Sequence, residues 1–134
     1  MKKFDFFEDF WESCEEWSNK TFGPPSHRGP LGPLDHLEKE RREAVHNVIT
    51  GKKDIKEFVD MYFLVLDAAR RDGHNVVEFE NACWEKLEEN KNRIWPPWKF
   101  SDPNKAIEHD RSKEKIDLDL DDFKWNRKDQ EEIE

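Results

Sequence analysis

Two acidic pairs with one spacing dominate the chemistry this sequence offers. They are Glu40 with Glu43 in LEKERREAV, and Glu57 with Asp60 in IKEFVDMYFLVLDAA. Residues three apart on an α-helix lie about 60° from each other around the axis, so each pair shares a face. Asp60 is the unusual member. It sits among Phe58, Val59, Met61, Tyr62, Phe63, Leu64, Val65 and Leu66, and an unpaired carboxylate in apolar surroundings is prohibitively costly. A divalent cation would offset that cost, and carboxylates facing one another across two helices suit a hard ion such as Mg2+ or Mn2+. For Glu40 and Glu43 taken alone, a solvated helix face is the commoner explanation.

The elements that must position these acids are helical by their periodicity. Residues Phe4 to about Asn19 place Phe7, Phe10, Trp11, Cys14 and Trp17 at helical intervals, an aromatic stripe suited to a core. TFGPPSHRGPLGPL follows, dense in Gly and Pro, so regular structure is not expected there. Ser26, His27 and Arg28 stand in this loop as a connector or as pocket lining. A first core helix is expected over about Leu34 to Ile49, with Asp35 and Glu38 at capping-box spacing and Gly51 as its stop. His36, Glu40 and Glu43 form one polar stripe on it.

A second core helix is expected from about Ile55 to Asp72, with Asp54 as N-cap and Gly73 beyond its end. Glu57 can be the capping-box partner of Asp54, which is a structural role in its own right. Capping explains neither Asp60 nor Asp67, which lies on the same side further along. The helix is otherwise apolar nearly all round and must be buried on most faces, which pairing between two subunits achieves. A third core helix starts at Asn75 with Glu78 placed for a capping box, and Pro96 and Pro97 end it. Its row Lys86, Asn90 and Arg93, with Lys91 nearby, suits phosphate binding or plain solubility.

The chain has 134 residues, 34% hydrophobic and 41% charged, enough for one domain with a small or shared core. The net charge of −9 argues against a general nucleic-acid or anionic-membrane surface. It leaves room for a small phosphate ligand, because metal ions and a few cations reverse the field inside a pocket. Cys14 and Cys83 have no metal-ligand spacing and read as reduced thiols of a cytoplasmic protein. No apolar run approaches the ~20 residues of a membrane span. The expected organisation is a helical domain over residues 1–100, with an aromatic helix at 1–20 and a Gly/Pro loop at 21–33, then a charged tail at 101–134. In that tail Ile116, Leu118, Leu120, Phe123 and Trp125 either dock as an extended segment or stay disordered.

The acidic pairs, together with TFG at Thr21 to Gly23, GPLDHLEKE from Gly32 to Glu40, FLVLDAARRDG from Phe63 to Gly73 and NRIWP from Asn92 to Pro96, resemble the MazG-like all-α nucleoside triphosphate pyrophosphohydrolases. They look most like the phage dATP/dGTP pyrophosphohydrolase branch. The resemblance covers roughly Trp17 to Trp98. It implies an all-α helical bundle completed by dimerisation, as a homodimer or a dimer of dimers. It implies Glu40, Glu43, Glu57 and Asp60 as ligands of two or more Mg2+ or Mn2+ ions. It further implies a purine nucleoside triphosphate substrate, dGTP foremost, cleaved to the monophosphate and pyrophosphate in an infected host cytoplasm, feeding 2-aminoadenine synthesis. Lys86, Asn90, Lys91 and Arg93 match the region that holds phosphates in such proteins. Glu38 or Glu43 is the expected proton acceptor, and Trp11, Trp17, Phe22 and the Ser26–Arg28 loop are candidates to hold the base. An all-α dUTPase and a non-catalytic acidic helical protein that mimics DNA are the competing readings.

Overall fold

The computed structural model describes residues 4–110. The tail residues Ile116, Leu118, Leu120, Phe123 and Trp125 lie outside them. Among the described residues the fold is all-α: four helices, one short 3-10 turn at Trp98–Phe100, and no strand.

Helix α1 spans Phe6–Phe22. Asp5 is extended and its side chain accepts from the Phe7 and Glu8 backbone N–H groups, satisfying two first-turn donors. Gly23, at φ +94°, ends the helix at a conformation that side chains rarely adopt.

Helix α2 spans Leu31–Thr50, so it begins a turn earlier than expected. The capping box read at Asp35 and Glu38 is therefore not the start of this helix. Pro30 holds the N-cap position without a side-chain cap, and the Leu34 N–H bonds to its carbonyl at 3.2 Å. Pro33 falls in the first turn, where a missing N–H removes no helical bond. That is why part of the Gly/Pro stretch is helical after all. Gly51, left-handed at φ +79°, closes α2 as expected: its N–H reaches the Val48 carbonyl and the Lys52 N–H the Asn47 carbonyl.

Helix α3 spans Ile55–Arg71 and is capped by Asp54, whose side chain accepts from the Lys56 N–H at 3.0 Å. Helix α4 spans Val76–Asn92. Asn75 and Glu78 form the expected capping box, with the Glu78 N–H to Asn75 Oδ1 at 2.9 Å and the Asn75 N–H to Glu78 Oε1 at 3.5 Å.

The described residues fall into two units, 4–79 and 80–110, and α4 contributes to both. In the first unit α2 and α3 pack along each other and α1 lies on α3. Trp11, Ala44, Leu64, Leu66 and Ala68 are its buried apolar side chains. The Trp11 ring meets Phe79 at 5.6 Å and Phe7 at 6.2 Å, so Trp11 is core and not a platform for a ligand. At about 1.5–3 kcal/mol for a fully buried large apolar side chain, this is a thin core. Phe58 and Val59 on α3 remain 51% and 44% exposed, so one chain alone does not bury α3 on most faces as its sequence suggests.

In the second unit the chain folds back on itself after α4. Trp95 Nε1 donates to the Asn90 carbonyl at 2.7 Å, the Trp95 and His109 rings meet edge-on at 5.5 Å, and the Asp110 N–H bonds to the Ile94 carbonyl.

Candidate active site

The two long helices α2 and α3 bring acids of both pairs together. One oxygen each from Glu40, Glu57 and Asp60 lies within 4.8 Å of the others. Glu40 comes from the third turn of α2, and Glu57 and Asp60 from the first two turns of α3. The Asp54 cap fixes where α3 starts and therefore which side of it faces α2. Glu57 does not reach back to close a capping box. Its Oε2 atom is buried with no hydrogen-bond partner within the protein, and so is Oε2 of Glu40.

Glu40 is held on its other oxygen. His36, one turn earlier, approaches Glu40 Oε1 at 3.0 Å. Glu43 stands one turn further along the same face, close enough for its charge to act on Glu40. Burial pushes the Glu40 carboxyl above the usual range, and repulsion from Glu43 and then Asp60 adds to it, while His36 pulls it back. Asp60 itself is exposed, so its apolar sequence neighbours do not bury it as expected. The unfavourable element is the pair of buried, unpartnered oxygens of Glu40 and Glu57, which a cation would satisfy. Ligand oxygens about 2.0–2.1 Å from Mg2+ stand about 2.9 Å apart when adjacent and about 4.2 Å when opposite. The spacing of the three acids is of the order that such an ion requires.

Glu43 is exposed and lies next to Glu40, outside the three-acid group. Glu38 is paired with Arg42 at 3.1 Å and lines the same polar cleft, of about 670 Å3, as Glu43 and Glu57. The row on α4 belongs to the second unit, where its cations are engaged by their own helix. Lys86 pairs with Glu89 and Lys91 with Glu88, both at 3.2 Å, and Arg93 bonds to Asn90 at 2.9 Å and to Glu89 at 2.7 Å.

The sequence places Asp67 on the side of Asp60, but the structure gives it a different task. Asp67 is 4% exposed. Its Oδ1 accepts from Arg70 at 2.8 Å, and its Oδ2 accepts from Arg71 Nε and from the Ser18 hydroxyl, both at 2.9 Å. Arg71 also donates to Ser18 Oγ at 2.8 Å and to the Arg28 carbonyl at 2.9 Å. Burial alone would raise the Asp67 carboxyl, but the hydrogen bonds from Arg70, Arg71 and Ser18 outweigh it and hold the group below the ordinary carboxylate range. Sequence reasoning missed this network because Ser18, Arg28 and Arg71 share no periodicity. The only signal was a second unexplained acid on an apolar helix.

A cavity of about 380 Å3 opens beside this network, between the 24–30 loop, the start of α2 and the second half of α3. Phe22, Arg28 and Leu64 are in its wall, and so is His36, the partner of Glu40.

The sequence pattern of the dATP/dGTP pyrophosphohydrolase family matches residues 10–114. The chain belongs to that family. The matched stretch contains Glu38, Glu40, Glu43, Glu57, Asp60 and Asp67 and the whole of α2, α3 and α4. The chain is also similar to the Eaa protein of Salmonella phage P22, with 45% identity over 92 residues. That alignment takes in 69% of this chain and 27% of the phage protein, so the chain spans about a quarter of the length of the curated relative it matches. No solved structure matches the chain. No described helix is long and apolar enough to cross a membrane.

Proposed function

We propose that this protein is a metal-dependent pyrophosphohydrolase of purine deoxynucleoside triphosphates, cleaving between the α- and β-phosphates to give the monophosphate and pyrophosphate. The convergence of Glu40, Glu57 and Asp60, with two buried carboxylate oxygens lacking any partner, carries the reading. Membership of the family supports the reaction class.

A divalent cation bound by these acids supplies charge neutralisation for the phosphates and a water of lowered pKa. The chain's own groups do the rest. Glu40, Glu57 and Asp60 would hold the ion, and Glu43 would add negative charge at the rim. His36 fixes the Glu40 carboxylate by its other oxygen, leaving Oε2 as the ligand atom. Glu43 accepts the proton of the attacking water. Of the two acids expected for this role it is the better placed, because Glu38 is engaged by Arg42. The water attacks the α-phosphorus and pyrophosphate leaves. The assignment of Lys86, Asn90, Lys91 and Arg93 to the substrate phosphates, the preference for dGTP, and a role in supplying dGMP for 2-aminoadenine rest on the resemblance.

A second copy of this chain is the proposed cover for the exposed Phe58 and Val59 side of α3. A thin core and an apolar helix face together favour an obligate dimer.

The decisive experiment is turnover of dGTP, dATP, GTP, ATP and dUTP with Mg2+ or Mn2+, with products identified. Monophosphate plus pyrophosphate from the purine deoxynucleotides is expected, and preference for dUTP would transfer the chain to the dUTPase reading. No hydrolysis of any of them would leave the acidic-mimic reading standing.

A further inference from the structure

We propose that residues 116–125 of this chain dock on the aromatic face that the second unit presents over residues 94–100, and supply the apolar cover that unit lacks. The proposal holds whatever the chain hydrolyses. Among the described residues from 80 to 110 the one buried side chain is His109. Ile94, Trp98 and Phe100 are 69–89% exposed, and α4 buries no side chain fully. A large aromatic covers about 150–250 Å2 when buried. Trp98, Phe100 and Ile94 together therefore reach the few hundred Å2 at which an exposed apolar patch marks an interaction site.

The path of the chain selects the occupant. The Asp110 N–H bonds to the Ile94 carbonyl at 2.9 Å, so residue 111 starts beside the first residue of the patch. Residues 111–115 then lead to Ile116, and such a link spans about 17 Å at most. A tether that short gives the following segment a high effective concentration over the patch. In that segment Ile116, Leu118 and Leu120 alternate with Asp117, Asp119 and Asp121. The alternation puts apolar groups on one side of an extended chain and carboxylates on the other.

Charge selects the same occupant. Residues 94–107 carry Lys99 and Lys105 against one acid, Asp102, whose carboxylate accepts from the Asn104 N–H at 2.8 Å. Lys99 lies 5.7 Å from the centre of the Trp98 ring, and neither lysine is paired with an acid among the described residues. Residues 116–123 bring Asp117, Asp119, Asp121 and Asp122 and no cation. A second copy laying its own residues 94–100 on the patch would set Lys99 against like charge.

The test uses the full chain, mixed from isotope-labelled and unlabelled preparations. It is cross-linked with a zero-length carbodiimide and mapped by mass spectrometry, and Trp98 and Phe100 are probed by hydroxyl-radical footprinting. Links from Lys99 or Lys105 to Asp117, Asp119 or Asp121 within single chains are expected. So is a several-fold rise in Trp98 and Phe100 oxidation in the double variant Leu118→Ser, Leu120→Ser. Equal oxidation in the two proteins overturns the docking. Links spread evenly over the exposed Lys52, Lys53 and Lys56 also overturn it. Links that join labelled to unlabelled chains make a second copy the occupant and overturn it too. Should the double variant lose helical circular dichroism, Lys99→Glu replaces it. A several-fold rise in Phe100 oxidation is again expected, and an unchanged rate counts against the docking.

Discussion

Arg71 of α3 donates to the backbone carbonyl of Arg28 at 2.9 Å, tying the Gly/Pro loop to the helix that carries Asp60. The same guanidinium binds Asp67 and Ser18, and its side chain is 1% exposed. Removing one member of such a buried set leaves the others uncompensated, a loss of about 3–5 kcal/mol. Asp67→Ala and Arg71→Met should each lose that much in urea unfolding. Values within about 0.5 kcal/mol of wild type would show the network to be idle.

The same network sets an acid limit. Asp67 is held below the ordinary carboxylate range, so the unfolded chain takes up its proton at a higher pH than the folded one. Its contribution is complete above the unfolded value of about 3.9 and disappears as pH falls through the folded value. Tm measured against pH should drop steeply below about pH 4, and Asp67→Asn, less stable at pH 7, should flatten that drop. An unchanged slope would assign acid lability elsewhere.

At the acids, chemistry and stability should oppose each other. The Glu40 carboxyl is raised by burial and by Glu43, so its ionised form burdens the cation-free fold at pH values above its folded pKa, and the burden vanishes below the unfolded one. In EDTA at pH 7, Glu40→Gln should therefore melt higher than wild type, and with Mg2+ supplied it should lose the pyrophosphate release that wild type shows. A lower Tm would mean that the carboxylate is satisfied without an ion.

Cation binding should be visible without substrate. A ligand that binds only the folded state at a hundred times its Kd adds about 2.7 kcal/mol. Mn2+ or Mg2+ should raise the Tm of wild-type protein and leave Glu57→Ala and Asp60→Ala unmoved. Asp60→Ala and Glu43→Ala should also lack turnover, by at least a hundredfold, with helical circular dichroism retained. An equal thermal response in all variants would place the ion elsewhere.

What could be read from the sequence was what local chemistry decides. Asp54, Gly51 and the Asn75–Glu78 box mark helix ends because each acts on backbone groups a few residues away. The sequence expected four acids to face one another, from their shared spacing on two helices close together in the chain; the structure brings Glu40, Glu57 and Asp60 together and leaves Glu43 outside the group. The start of α2 was not legible, because Pro33 looks like a breaker until its place in the first turn is known. Asp67 was not, because its fate depends on Ser18 and Arg28, which only the packing of α1 and the loop against α3 brings near. Trp11 offered the same ambiguity as any aromatic stripe and resolved to core against Phe79.

Helix α3 carries one carboxylate consumed internally, Asp67, and another left open, Asp60, on a single rod. Slackening at one end must turn or tilt the other. Lesions around Ser18 would then announce themselves first as poor ion affinity in a chain that still looks native to a spectropolarimeter. Screening for weakened cation response should therefore find folding defects that a melting curve at saturating Mg2+ conceals.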